Sequence, residues 1–363
     1  MMKQKTLFAV ASGSGGHIIP ALVLIQQWKQ DNPYGRVIFC TGTKKLDLLL
    51  LRDNPDIDKV ITFSLTQWNS KKFWKLPLLL LQLVQIFFKS LFITINYRPH
   101  TIINTGGILA IPLSYAAKCS SQAIYTYELN VIPGKAVKAL LPCSTTIYSP
   151  FLATKHHCQF LGKDFSHKCT YAPYPLRFTQ KEQTITKEDA VCTINKLIPH
   201  SALRLTATKK TLFLLGGSQG SALLNKALLE YLSAPEQAEL CKEIQIIHQT
   251  GTHTTIDWKR WYQDKNISAF TFSYHNDIAT LYAGADLIIT RAGAGTLFEI
   301  AFFQKPCIVV PLQATTTSHQ IDNAKAMLEH YPTLITIIDQ NDVQHDPTLL
   351  GKTLYKKLYN HQN

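Results

Sequence analysis

A chain of 363 residues, 46% hydrophobic and 17% charged, holds core material for two domains of ordinary size. It is too long for a single small binding module and has none of the bias of a disordered or collagenous chain. The formal net charge of +13 is unevenly spread: between Val60 and Lys163 ten Lys or Arg stand against one acid, Glu128, so the first half calls for an anionic partner.

In chain order, Leu7–Ala11, Arg36–Thr41, Lys59–Phe63, Thr101–Asn104, Ala123–Tyr127 and Thr145–Tyr148 are expected as strands. Between them Ala21–Gln30, Leu46–Arg52, Lys75–Ile95, Ala110–Lys118 and Lys135–Leu141 have helical patterning. The second half repeats the scheme, with strands near Thr211–Leu215, Glu243–His248, Ala269–Phe272, Leu287–Thr290, Cys307–Val310 and Thr333–Ile338. Its helices fall near Ser221–Leu232, Thr254–Asp264, Ile278–Ala283, Thr296–Phe303 and Ser318–His330, while Phe178–Lys210 is polar with weak periodicity. Strand then helix, repeated twice over, predicts an α/β protein of two doubly wound, Rossmann-like domains facing across a cleft. The expected cut puts a first domain at 1–175 and a second at 176–345, with a C-terminal helix in 346–363 crossing back to brace the first.

The most apolar stretch runs from Leu78 to Ile95, preceded by Trp68, Lys71, Lys72, Trp74 and Lys75 and interrupted by Gln82, Gln85 and Lys89. Its uninterrupted run, Leu78–Phe88, is eleven residues, short of the roughly 20 that a membrane span needs. Three readings stand: a core helix, a transmembrane helix, and an interfacial helix whose lysines meet anionic lipid. Nucleic acid would use the lysines and leave the leucines idle, so an anionic membrane is the expected partner. The eight cysteines form no Cys-x-x-Cys pair, and each is read as a buried thiol. Met1–Lys5 runs into the first strand without a cleavage site, which sets the expectation of a reducing, cytoplasmic compartment.

Chemistry is expected in the strand-to-helix loops. Ser12-Gly-Ser-Gly-Gly-His17 follows the first strand, where glycines permit close backbone approach and an imidazole can act as a base near neutral pH. Asn104-Thr-Gly106-Gly107 is a second turn of this kind. Glu128 either forms a local ion pair or works in the cleft. Gly216-Gly-Ser-Gln-Gly220 before a helix is a nest of amide donors suited to a diphosphate, without the Lys-Ser/Thr ending of a P-loop. In Arg291-Ala-Gly-Ala-Gly-Thr296-Leu-Phe-Glu299, the glutamate is either a capping-box residue paired with Thr296 or an acceptor for ribose hydroxyls.

Together with Glu128-x-Asn130, Pro175-x-Arg177 and His319-Gln320-x-x-Asn323-Ala324, these loops resemble, in order and spacing, the MurG family of glycosyltransferase family 28, from Gly13 to Ala324. The resemblance implies a GT-B fold and an inverting N-acetylglucosaminyltransferase that uses UDP-N-acetylglucosamine and a polyprenyl-diphosphate-linked sugar in peptidoglycan synthesis. It implies work as a peripheral protein on the cytoplasmic face of the membrane, with neither cofactor, metal nor nucleic acid. The alternatives are a relative acting on another lipid acceptor and a non-catalytic membrane anchor. Carried over by residue, His17 is the expected base and Glu128 a second catalytic residue. Ser14, Gly15 and Gly16 would meet the donor sugar and acceptor diphosphate, and Asn130 the sugar. Arg177 and Ser218 would hold the nucleotide diphosphate, Glu299 the ribose and the His275 backbone the uracil. Ala294, Gly295, Thr296 and Gln320 complete the donor pocket. The departures from the family pattern lie at 11–17, 106–112 and 127–130, all on the acceptor side.

Overall fold

The computed structural model describes residues 4–13, 15–66, 74, 76–199, 201–217, 220–251, 254–313 and 319–359. Two compact units divide the chain, Met1–Arg177 and Phe178–Asn363.

Unit 1 alternates β1 (Thr6–Val10), α1 (Gly15–Asp31), β2 (Arg36–Thr41), α2 (Lys45–Leu51), β3 (Lys59–Thr62), α3 (Leu76–Tyr97), β4 (Thr101–Asn104), α4 (Ala110–Cys119), β5 (Ala123–Tyr127), α5 (Lys135–Leu140) and β6 (Thr146–Ser149). A two-residue-loop hairpin, β7 (Gln159–Phe160) and β8 (Lys163–Asp164), and a last strand β9 (Cys169–Tyr171) close it. The seven-stranded sheet runs β3-β2-β1-β4-β5-β6-β9, every pair parallel. β1 reads Thr-Leu-Phe-Ala-Val with all five residues buried, as a central parallel strand covered on both faces must be. Leu7 and Ala9 pack with Ile18, Ala21 and Ile25 of α1; Phe8 and Val10 pack on the other face with Ile86 and Ile93 of α3 and Leu113 of α4.

That packing decides between the three readings of the apolar stretch. α3 is 22 residues long, close to the expected Lys75–Ile95, and is the crossover between two strands of the sheet. Ile86 and Ile93 belong to the core, so the helix cannot cross a bilayer apart from the sheet it covers. Its other side, with Leu80, Leu81, Val84, Phe88, Phe92 and Ile95, is exposed, Phe92 at 68%. A core role and an apolar surface therefore coexist in one helix. Trp74 is exposed; Trp68, Lys71, Lys72 and Lys75 lie outside the described residues.

Unit 2 begins with α6 (Gln180–Gln183) and α7 (Lys187–Asn195), two helices in the stretch whose weak periodicity concealed them. Then follow β10 (Lys210–Leu215), α8 (Ala222–Ser233), α9 (Ala238–Glu243), β11 (Ile244–Gln249), α10 (Trp258–Asp264), β12 (Ala269–Phe272), α11 (Ile278–Gly284), β13 (Leu287–Thr290), α12 (Ala294–Phe302), β14 (Cys307–Val309), α13 (His319–His330), β15 (Ile335–Ile337), α14 (Gln340–His345) and α15 (Thr348–Tyr359). The six-stranded parallel sheet has the order β12-β11-β10-β13-β14-β15, the doubly wound pattern. The expectation that the C-terminal helix braces the first domain is corrected. Leu350, Leu354 and Leu358 of α15 enter unit 2's own core beside Tyr231 of α8, and Tyr359 Oη donates to Glu243 Oε2 at 2.8 Å. The thiol reading is corrected too, since Cys119 and Cys192 are exposed.

Candidate functional site

In each sheet the order reverses beside the first strand, and the loops after the two strands flanking that point are where a doubly wound domain binds ligands. In unit 1 these are the loops after β1 and β4, and they meet at His17. The imidazole Nδ1 lies 2.7 Å from the Thr105 carbonyl, while Thr105 Oγ1 donates to the His17 carbonyl at 2.8 Å. A carbonyl only accepts, so Nδ1 carries the hydrogen and Nε2 presents a bare lone pair. That nitrogen has no partner among the described residues. A side chain at Gly106, whose φ is +108°, would reach within 3.1 Å of the ring, so glycine there makes room for the imidazole. Burial lowers the His17 pKa below 6.5, against the opposing pull of the Thr105 bond and of Asp47, which keeps the ring neutral and basic at pH 7.

Asp47 was not singled out by the sequence. It is buried on α2, accepts from the Gly13 amide at 3.1 Å through Oδ2, and leaves Oδ1 without a partner among the described residues. Nothing in its leucine-rich surroundings signals this role. Ser14, between Gly13 and Gly15, lies outside the described residues; Gly15 and Gly16 open α1.

Glu128 does not make the ion pair that was one of its two expected roles. It is 2% exposed and forms no ion pair among the described residues. Oε1 accepts from the Asn130 backbone at 2.8 Å and the Asn130 side chain at 3.0 Å, and Oε2 from the Gly134 amide at 3.0 Å. Burial pushes its pKa up and these hydrogen bonds pull it down. With both oxygens bound to amides, it folds the 128–134 loop that carries Asn130. An Asp-x-Asp triplet does occur in the chain, Asp56-Ile57-Asp58, and its second aspartate serves the fold. Asp58 Oδ2 accepts from the Val37 amide at 2.7 Å and faces Lys29 at 3.6 Å.

In unit 2 the corresponding loops follow β10 and β13. Gly220, at φ +77°, abuts the next loop so closely that a Cβ would lie 2.6 Å from Gly251 Cα, which requires glycine. Ser221 caps α8, its hydroxyl accepting from the Leu224 amide, and the helix directs its amide end at the glycine turn. Ser218 and Gln219 lie outside the described residues. Arg291 joins three segments: Nε donates to Ser221 Oγ, and Nη1 donates to the Val310 carbonyl and to Gln340 Oε1, each at 3.0 Å. It has no carboxylate partner among the described residues, and burial pulls its pKa down to about 10. A desolvated guanidinium beside a helix N-terminus is two like-signed features on one turn, an arrangement that an anion relieves.

Gln320, at the start of α13, accepts through Oε1 from the Ala292 amide at 3.1 Å and the Leu312 amide at 2.8 Å, fixing the loops around α12. α12 starts at Ala294 with Gly293 as its N-cap, so Ala294, Gly295 and Thr296 form its first turn. Thr296 is therefore not a cap, and the capping-box reading of Glu299 fails. Glu299 Oε2 instead accepts from Tyr282 Oη at 2.8 Å. His275 sits in the loop after β12, its Nδ1 3.0 Å from the Asp277 carbonyl. Arg177, the last residue of unit 1, is exposed.

A second cluster in unit 2 lies at the end of β11, around His248 and Gln249. Asn225 Nδ2 donates to the Thr250 carbonyl at 3.0 Å, so Asn225 Oδ1 must face His248 Nε2, 3.1 Å away, and that nitrogen carries the hydrogen. The Tyr262 hydroxyl then donates to Nδ1 at 2.9 Å. His248 is 0% exposed, and burial drives its pKa down to about 3.

Two doubly wound units, each with a glycine turn at the point where its strand order reverses, have the architecture of GT-B glycosyltransferases. Residues 7–149 match the glycosyltransferase family 28 N-terminal domain and residues 211–363 the family's C-terminal domain. The chain belongs to glycosyltransferase family 28. It is 28% identical over 89% of its length to a protein of Trichlorobacter lovleyi named UDP-N-acetylglucosamine--N-acetylmuramyl-(pentapeptide) pyrophosphoryl-undecaprenol N-acetylglucosamine transferase, covering 83% of that relative. A Coxiella burnetii protein of the same name is 27% identical, with 94% of this chain and 87% of the relative covered. The crystal structure of Acinetobacter baumannii MurG matches its fold with a TM-score of 0.65 at 21% identity, over 97% of this chain and 90% of that one.

Proposed function

We propose that the chain transfers N-acetylglucosamine, with inversion, from UDP-N-acetylglucosamine to the N-acetylmuramyl sugar of a polyprenyl-diphosphate-linked acceptor, the step its curated relatives are named for. The observation that carries the reading is the state of His17: a neutral imidazole with Nδ1 anchored on a carbonyl and Nε2 bare. In the proposed step Nε2 takes the proton of the acceptor hydroxyl as its oxygen attacks the anomeric carbon. The bond to the diphosphate breaks on the opposite side, and UDP departs as an anion.

Unit 2 is the proposed donor holder. The amide end of α8 and the carboxylate-free Arg291 offer positive potential to the diphosphate, with Arg177 and Ser218 as further expected contacts. Glu299 would accept from the ribose hydroxyls and the His275 backbone would meet the uracil. Gln320 keeps its amide hydrogens for the donor sugar. UDP-N-acetylglucosamine enters as a substrate, and no resident cofactor or metal is called for. In unit 1, Asn130 and the Gly15-Gly16 helix start would receive the acceptor. The exposed apolar side of α3 supports a peripheral position on an anionic membrane, where such an acceptor resides; the cytoplasmic face is the side we propose.

The test is a panel of UDP-N-acetylglucosamine, UDP-glucose and UDP-N-acetylgalactosamine against lipid-linked muramyl peptide and diacylglycerol, with product masses recorded. One N-acetylhexosamine should be added to the muramyl lipid, from the first donor alone. Transfer to diacylglycerol only, or no transfer at all, would overturn the proposal.

A further inference from the structure

The hairpin of unit 1 ends in an anomaly. β7 and β8 pair Phe160 with Lys163, leaving Leu161 and Gly162 as a two-residue loop, and both have positive φ, 50° and 74°. That is a type I′ turn, whose first position favours Asn, Asp or Gly because a larger side chain is strained in the left-handed region. The other non-glycine residues with positive φ among those described are Asp53, Arg98, Ser121, Asn266 and Gln304, all polar. Leu161 alone is apolar, and it is 85% exposed, so no burial within the protein offsets its strain. A strained leucine held out in water at a loop tip has no use for the fold, and such outliers collect where a surface meets something else.

The hairpin's place in the unit says what that is. α4 packs against both α3 and α5, and α5 touches β7. Phe160 packs over Leu141 and Ile147, and Ile147 shares a sheet face with Ile124 and with the core residues of α3. The tip therefore belongs to the same side of the sheet as the exposed apolar strip of α3. Between them and beside the tip, Lys118, Lys135, Lys155 and Lys163 are exposed. Asp164 is the single acid from residue 129 to residue 181, and Ser166 occupies it through its amide and its hydroxyl, each at 2.8 Å. Two apolar points with cations around and between them, on one side of a rigid sheet, match a broad anionic surface with an apolar interior.

We propose that the Leu161 tip is a second membrane contact, inserted among the headgroups of an anionic bilayer while α3 supplies the first. This deepens the peripheral-membrane reading above and rests on it. Two contacts on one face set the orientation of unit 1 on the bilayer as well as its affinity, since one apolar helix leaves the unit free to roll about its axis.

The experiment is sedimentation of the full chain with vesicles of phosphatidylethanolamine and phosphatidylglycerol, and with vesicles of phosphatidylcholine alone. Leu161→Asn gives the turn a residue it favours and removes the apolar contact. It should keep or raise the thermal midpoint while weakening binding to the anionic vesicles about tenfold, the order expected for one leucine leaving an apolar phase. Lys163→Glu should weaken binding to the anionic vesicles and leave the phosphatidylcholine result unchanged. Phe88→Asp, on α3, is the separate arm. Wild-type protein that ignores both vesicles would overturn the membrane reading and this inference together. Loss of binding in Phe88→Asp with Leu161→Asn equal to wild type would overturn this inference alone. A lowered thermal midpoint in Leu161→Asn would also overturn it, by showing that the leucine serves the fold.

Discussion

His17 in unit 1 and His248 in unit 2 both lie near the loop ends of their sheets, both are neutral, and both have pKa values lowered by burial. They differ in what their second nitrogen meets. Among the described residues His17 has one nitrogen anchored and one bare; His248 has both occupied, by Tyr262 and Asn225. Burial moves both rings in the same direction, and one of the two is sealed in. A shifted pKa therefore does not mark the reagent here; a vacant lone pair does. His248 is a strut: through Asn225 it ties the first turns of α8 to the Thr250 carbonyl, against which Gly220 packs.

The strongest challenge to this contrast is to exchange outcomes. His17→Gln should reduce kcat/KM by about 100-fold or more while the urea midpoint stays near that of wild type. His248→Ala should do the reverse. It strands the Tyr262 hydroxyl and the Asn225 amide in a sealed core and should cost about 3 kcal/mol of stability, with activity following the folded fraction. A His17→Gln enzyme that turns over normally, or a His248→Ala protein of unchanged stability, would break the comparison.

Acid separates the two rings further. His248 has a folded pKa of about 3 against 6.5 for the unfolded chain, so between those values the unfolded state binds the extra proton. Stability should decline as pH falls from about 6.5 toward 3, and His248→Gln should flatten that decline. The acidic limb of kcat/KM, set by His17 protonation below pH 6.5, should survive in that variant. A limb that vanishes with His248 would assign it to unfolding rather than to the base.

Glu128 is a second buried group held by its own loop. Glu128→Gln turns one acceptor oxygen into a donor facing the amides of Asn130 or Gly134, and should cost about 2 kcal/mol by thermal melt. The reason that these bonds were not foreseen is general. An isolated acid in a basic stretch is visible in a sequence, but its partners are backbone amides, which every residue has and no pattern reveals. Asp47 was missed on the same ground. The strand–helix alternation was legible because buried parallel strands are continuous apolar runs, as in β1. Shorter features were not: α7 buries only Ala190, Val191 and Ile194, and β7 and β8 are two residues each. The start of α12 was placed two residues late because Gly293-Ala-Gly295 looks like a turn, yet Gly293 is a cap and Gly295 a first-turn residue. The glycine loops and His17 were readable because steric necessity leaves its mark on residue type.

The smallest expected effect is the most discriminating for the tautomer argument. Tyr262→Phe keeps the ring that packs against Trp258 and deletes only the hydroxyl 2.9 Å from His248 Nδ1. With Nε2–H still held by Asn225, one buried acceptor loses its donor, and the loss should be about 1 kcal/mol, with donor KM unchanged. Nitrogen NMR of histidine-labelled protein should show His248 protonated at Nε2 in wild type and variant alike. The opposite tautomer would require Asn225 to turn its oxygen toward the Thr250 carbonyl, setting two acceptors against each other. Protonation at Nδ1 would therefore break the strut at its centre and leave the approach of Gly220 to Gly251 to be held by packing alone.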